Sequence, residues 1–317
     1  MEQTSFEILP MIELYDFSNF ELSSRNLQYA GRAGEKRGIL IDGEFWFLKF
    51  PKNTVGMSNI KEMSYVTSPL SEFIGSHIFE ILGYDVHKTR LGICFDGKRY
   101  KVVCACKDFI KDDKNELLIP YTALRNDSDP DVMIESDESF KSASNINEII
   151  FQLDHNSVLK NLLNAKDRFW ETAIIDILIN NNDRNEDNWG VIKNKTTNIY
   201  KLAPVYDCGN SFYSKASETK IVEILNDVKK LNSSSINGIT AYEDDEANRL
   251  TAIQFLKLPN YDLKLAKIKV KNLVQNHMDE IENFINSIPN VFGGIEIVSE
   301  NRKKYYIKTI KKRLSLL

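Results

Sequence analysis

Three side chains in the stretch IIDILINNNDRNEDNWGVIKNKTTNIYKLAPVYDCGNSF have the types and the spacing to move a phosphoryl group. Asp183 and Asn188 stand five apart, the D-x-x-x-x-N spacing that pairs a carboxylate base with a metal-binding amide. Asp207 opens an Asp-Cys-Gly triplet in the place of the D-F-G that follows such a loop. Phosphoryl transfer needs a carboxylate to orient a hydroxyl and accept its proton, and oxygen ligands to hold Mg²⁺ across the phosphates. A helix running into a polar loop, with a hairpin behind it, delivers Asp183 and Asn188 and returns Asp207 to the same place. Two rival readings weigh against this one. Asp183-x-Asn185-x-Asp187 begins like a calcium loop, but position six is Asn188 where Gly is needed and position twelve is Asn194 where a bidentate Glu is needed. A polar turn without chemistry would not require Asp207 downstream.

Such an enzyme also needs a cation on the phosphates, fixed by a carboxylate from a helix. Lys49 ends the strand-like FWFLK and Glu72 falls early on the next helix, in the expected order. Taken singly, each reads as an ordinary surface residue, and the pair gains weight from the triad. Upstream, YAGRAGEKRG, with Gly31, Gly34 and Lys36, is glycine-rich and basic as a phosphate-covering loop should be, although a flexible turn would look the same. After VVCAC, Lys107, Asp108 and Phe109 are the candidates for a connector where adenine would meet backbone amides and carbonyls. Cys104 and Cys106 read as small packing residues and not as redox or metal groups.

The elements that must position these residues follow from periodicity. Asp42-Gly43 and Asp96-Gly97 each separate two apolar runs, the signature of tight hairpins. Between them SPLSEFIGSHIFEILGYDV reads as an amphipathic helix with Pro69 at its start and Gly83 at its stop. Beyond residue 110 the period becomes helical, over NINEIIFQLDHNSVLKNLL, RFWETAIIDILINN, LTAIQFLKL and LKLAKIKVKNLVQNHMDEIENFINSI, with a single strand pair near residues 189 to 203. Residues 111 to 145 read as exposed irregular chain. The expectation is an α+β chain: a small antiparallel-sheet lobe with one helix over 1–108, and a larger, mainly helical lobe over 109–317. The basic run RKKYYIKTIKKRL reads as the solvated face of a final helix, and Ser211, Ser214 and Ser217 as phosphorylatable positions of an activation segment.

The composition, 42% hydrophobic and 27% charged, is that of a globular protein. A net charge of −4 argues against general nucleic-acid binding, and no apolar run is long enough to span a bilayer. With no signal-peptide layout at the N-terminus, the cytoplasm is the expected location, secretion by another route remaining open. Four scattered cysteines and four scattered histidines form neither a disulfide framework nor a zinc site.

The blocks Asn181-Asn182-Asp183-Arg184 with Asn188, and Leu202-Ala203-Pro204-Val205-Tyr206-Asp207, resemble the C-terminal domain of the HipA-like Ser/Thr kinases, and the similarity extends more loosely over residues 27 to 315. That resemblance implies a bilobed protein-kinase-like fold and an ATP-dependent Ser/Thr protein kinase, with autophosphorylation expected. It assigns Asp183 as base, Asn188 and Asp207 to Mg²⁺, Lys49 to the ATP phosphates and Glu35-Lys36 to the phosphate loop. Its partners would be a protein substrate with a Ser or Thr acceptor and a regulatory companion protein. The loop begins near residue 30, which fits a compact, stand-alone type without the N-terminal subdomain of about a hundred residues found in toxin-type members. Family members also carry a histidine after N-N-D-R, which is Asn185 here. The alternatives are a kinase of a lipid or small-molecule hydroxyl, and a nucleotide-binding pseudokinase scaffold.

Overall fold

The computed structural model describes residues 12–25, 36–51, 67–125 and 142–317. The first part of the chain builds a five-stranded sheet from β1 (Tyr15–Asp16), β2 (Lys36–Ile41), β3 (Glu44–Lys49), β4 (Thr89–Phe95) and β5 (Tyr100–Lys107) in the order β1-β4-β5-β3-β2. All neighbours are antiparallel except β1, which lies parallel to β4. Asp42 and Gly43 both take positive φ, 53° and 76°, the geometry a two-residue turn needs to match the twist of β2 and β3. This register sets Lys36 directly opposite Lys49, with Cys104 on the other side of Lys49.

Helix α1 (Ser68–Ile81) starts on Pro69 and packs across β4 and β5. It is buried almost all round, because the second part of the chain covers its far side. There, β6 (Glu116–Pro120) joins β7 (Gly190–Asn194) and β8 (Tyr200–Leu202) in one sheet, with α2 (Tyr121–Leu124), α3 (Ile146–His155) and α4 (Ala165–Ile179) lying between β6 and β7 in the chain. Then come α5 (Glu218–Leu225), α6 (Val228–Ile236), the β9 (Ile239–Glu243) and β10 (Arg249–Thr251) hairpin, α7 (Ala252–Leu256), α8 (Tyr261–Asn276), α9 (Met278–Ser287) and α10 (Glu300–Leu314). Helix α4 is the axis of this half: twelve of its residues are buried and α8 and α10 pack on it. Its end, Asn180 at φ 57°, turns the chain into the loop that carries Asp183.

Three sequence expectations are corrected. Residues 116–120 are a strand, so part of the segment read as irregular is paired; only residues 126–141 of it lie outside the described residues. The helical period of the C-terminal stretch is carried by two helices, α8 and α9, which meet at His277. Ser211 and Ser214 are buried and Ser217 caps α5, its side chain accepting from the Lys220 amide, so 211 and 214 are not accessible for modification. The basic run is not a uniformly solvated face: Arg302, Lys303 and Arg313 are buried. Arg313 donates to the carbonyls of Leu178, Ser234 and Ser235, at the C-terminal ends of α4 and α6, where a cation meets unpaired carbonyls.

Candidate active site

Lys49 gathers the site. Its ammonium lies 2.8 Å from Glu72 Oε2 on α1 and 2.8 Å from Asp207 Oδ1, side chains that come from three separate elements. Glu72 is fully buried, whereas Asp207 is 36% exposed. Burial alone would raise the Glu72 pKa, but the Lys49 ammonium and His87 hold it well below the usual carboxylate range. Burial would likewise lower Lys49, and the carboxylates of Asp207 and Glu72 instead raise it well above the ordinary lysine value. Desolvation of Asp207 is outweighed by Lys49, so its carboxyl also sits low.

These shifts set a pH window. A depressed Glu72 contributes stability that is fully present above the value of a free Glu, about pH 4.3, and is lost as pH falls through the folded value. A raised Lys49 contributes stability present below about pH 10.4 and lost only as pH climbs through its folded value. The stability gap between wild type and Glu72→Gln is therefore expected to stay level from about pH 5 to pH 9 and to shrink in acid, read by urea unfolding at each pH.

Close approach of α1 to the Asp207 segment depends on Gly75. A Cβ there would lie 2.7 Å from Cys208 Cβ, and one at Gly209 would lie 3.0 Å from Glu72 Oε2. Gly75→Ala gains about 1 kcal/mol of helix propensity but overpacks this contact at a cost of about 1–3 kcal/mol. The expected result is a net loss of stability with a drop in turnover, measured by thermal unfolding and by phosphate transfer; unchanged turnover would detach the α1 contact from function.

The loop from Asn181 to Asn188 is held from below. Arg184, which is buried, forks onto Asp176 of α4 at 2.8 and 3.1 Å, donates to the carbonyls of Asn188 (3.2 Å) and Tyr206, and meets Cys208 Sγ at 3.4 Å. One guanidinium thus ties the loop carrying Asp183 and Asn188 to the segment carrying Asp207. Asn188 Nδ2 donates to the Asp183 carbonyl at 2.5 Å, which leaves Oδ1 as the end of the amide free for a cation. Asp183 Oδ1 accepts from Asn185 Nδ2 at 3.3 Å. With Asn188 Oδ1 and the Asp207 carboxylate the site offers hard oxygen donors, a set suited to Mg²⁺.

The remaining sequence candidates divide. Lys36 stands beside Lys49; burial lowers its pKa, and the like charge of Lys49 adds to this. Phe109 packs its ring 5.4 Å from that of Tyr206, one residue before Asp207. The Lys107 side chain instead pairs with Glu44 at 2.6 Å, at the β2–β3 end of the sheet, so only its backbone belongs to the connector. Asp108 is bound by Arg25 at 2.8 Å, an anchor that sequence reasoning did not find. Gly31 and Gly34 lie outside the described residues. Cys104 and Cys106 are buried free thiols, and burial raises Cys104 well above its usual value. Arg184 and Asp176 were also missed as a pair; an Asp inside the apolar run IIDILI was the available signal.

No protein-family model matches the chain. It is 28% identical over 276 residues to the serine/threonine-protein kinase CtkA of Helicobacter pylori, which covers 86% of this chain and 79% of that protein. The crystal structure of the Helicobacter pylori proinflammatory kinase CtkA superposes with a TM-score of 0.79 at 27% identity, over 96% of this chain and 95% of that one. HipA of the Shewanella oneidensis MR-1 toxin–antitoxin system, solved with HipB and operator DNA, gives a TM-score of 0.49 at 13% identity, over 90% of this chain and 64% of that one. In sequence and in fold the chain is similar to the serine/threonine-protein kinase CtkA, and the two loop blocks that resemble the HipA-like kinases are joined in it by Arg184.

Proposed function

We propose that the protein transfers the γ-phosphoryl group of ATP to a Ser or Thr hydroxyl of a protein. The observation that carries this is the Lys49 ammonium shared between Glu72 and Asp207, 2.8 Å from each, with the Asp183 loop fastened to the same segment by Arg184. Lys49 would neutralise the nucleotide phosphates, with Lys36 next to it, while Phe109 and the backbone of residues 107–109 border the nucleotide base. Asn188 Oδ1 and the Asp207 carboxylate would hold Mg²⁺, which when bound supplies charge neutralisation at the transferring oxygens. Asp183 offers Oδ2 to the acceptor hydroxyl, since Oδ1 already accepts from Asn185; it aligns that oxygen and takes its proton. The protein's contribution is position and electrostatics, not a covalent intermediate. Glu72, closed off from solvent, keeps Lys49 extended when Asp207 turns to the cation.

Among the described residues no helix is long and apolar enough to cross a membrane. The protein incubated with labelled Mg-ATP and either a basic protein or a dispersed phosphoinositide should give phosphoserine or phosphothreonine. Label confined to the lipid would move the acceptor, and label on neither would move the reading to a nucleotide-binding scaffold.

A further inference from the structure

Glu72 has a second partner that the phosphotransfer chemistry above does not use. His87, 1% exposed, places Nε2 at 2.9 Å from Glu72 Oε1, the carboxylate oxygen turned away from Lys49. Ser76 Oγ, one turn further along α1, sits 3.1 Å from the same Nε2. A buried lone pair 2.9 Å from a carboxylate oxygen would be repelled, so the proton belongs on Nε2, within hydrogen-bond reach of Ser76 Oγ and beside Glu72 Oε1. Glu72 Oε1 and His87 Nδ1 are both buried with no hydrogen-bond partner among the described residues, so the 2.9 Å contact with His87 is the polar neighbour that Oε1 has. The backbone of His87 is also fixed: its amide donates to Val205 O at 3.0 Å, while Val205 N donates to Asp85 O at 2.8 Å. Val205 is two residues before Asp207.

We infer that His87 is a positioning residue: its Nε2 edge, 2.9 Å from Oε1, holds Glu72 against Lys49, and its backbone bond to Val205 keeps that hold in register with Asp207. The inference rests on the kinase reading above. Glu72 rides on a helix, and a helix can slide; His87, in contact with both Glu72 and Ser76 of that helix, fastens it to the segment that leads to the metal-binding Asp. Glu72 and His87 also lie with Cys106 Sγ in a group whose ligand atoms are within 4.8 Å of one another, the spacing of a cation site. A metal there would have to compete with the Lys49 ammonium already paired to Glu72, so positioning is the stronger reading.

The test compares His87→Phe, which keeps the ring volume and the backbone bond but loses the donor, with His87→Gln, whose amide nitrogen can reach the place of Nε2. Two readouts are taken: kcat/KM for ATP, and labelling of Lys49 by an acyl-phosphate derivative of ATP, which needs Lys49 in place but no acceptor protein. His87→Phe is expected to lower both by about tenfold and His87→Gln to restore most of each, whatever their melting temperatures. Wild-type labelling and turnover in His87→Phe, or equal loss in both variants following their loss of stability, would overturn the positioning role. A wild type labelled on Lys49 that transfers phosphate to nothing would defeat the kinase reading while the labelling ratio still decides the role of His87. A wild type that is not labelled on Lys49 would overturn both.

Discussion

Asp207→Asn is expected to lower turnover about a thousandfold and to leave the melting temperature within a few degrees of wild type. The asymmetry comes from the backbone. Asp207 sits at φ 59°, in the left-handed region that Asn enters at least as readily as Asp, so the change removes a charge without adding strain. Lys49 keeps Glu72 as a partner, and Glu72 is the buried half of the pair. What disappears is an anionic oxygen at the cation site, worth about 4 kcal/mol of transition-state stabilisation if it holds Mg²⁺, and each 1.36 kcal/mol is tenfold in rate. Asp207→Ala would add about 1 kcal/mol of backbone strain and so confuse the two effects. Steady-state phosphate transfer and circular-dichroism melting, run on both variants, separate them. A fully active Asp207→Asn would remove Asp207 from the metal site.

Arg184→Ala is expected to be the most destabilising single change in the catalytic half of the chain, costing about 3–5 kcal/mol. The reason is what it leaves behind: Asp176, 4% exposed, loses both arms of its partner, and the carbonyls of Asn188 and Tyr206 lose their donor. A domain stable by about 5–15 kcal/mol cannot absorb that without a large shift in its urea midpoint. Arg184→Lys should recover only part, because an ammonium cannot serve the bidentate carboxylate and the carbonyls together. Pairing Arg184→Met with Asp176→Leu should cost much less than Arg184→Ala, since no uncompensated buried charge remains. A loss below about 1 kcal/mol for Arg184→Ala would mean that water or another cation can reach Asp176.

The parts of the fold that could be read from the chain are those set by neighbours in sequence. Asp-Gly pairs announced the two sheet hairpins, Pro69 and Gly83 bracketed α1, and the segments spaced for Asp183, Asn188 and Asp207 are the ones that Arg184 ties together. Strand β6 escaped because ELLIP pairs with β7, more than seventy residues later, inside a polar segment whose local signals point to loop. The two-residue β1 is defined only by its parallel pairing to β4. Arg302, Lys303 and Arg313 were expected outside because cations on an amphipathic helix usually face water; here helix-end carbonyls and side chains of other elements take their hydrogen bonds. Arg184 was visible as a letter in N-N-D-R, but its burial follows from an Asp eight residues earlier that only the folded helix brings beneath it. Lys107 belonged to the connector by position, while its side chain went to Glu44, since strand alternation decides which face a residue takes.

In the proposed function, Lys49, Asp183, Asn188 and Asp207 together perform Mg²⁺-dependent phosphoryl transfer. Its most direct test is phosphate incorporation into protein from γ-labelled ATP, with Mg²⁺ and with chelator, by wild type and by Asp183→Asn at equal folded concentration. Phosphoserine or phosphothreonine is expected from the wild type only when Mg²⁺ is present, with a loss of about two to four orders of magnitude in Asp183→Asn. Incorporation that survives both the chelator and the loss of the Asp183 carboxylate would contradict it.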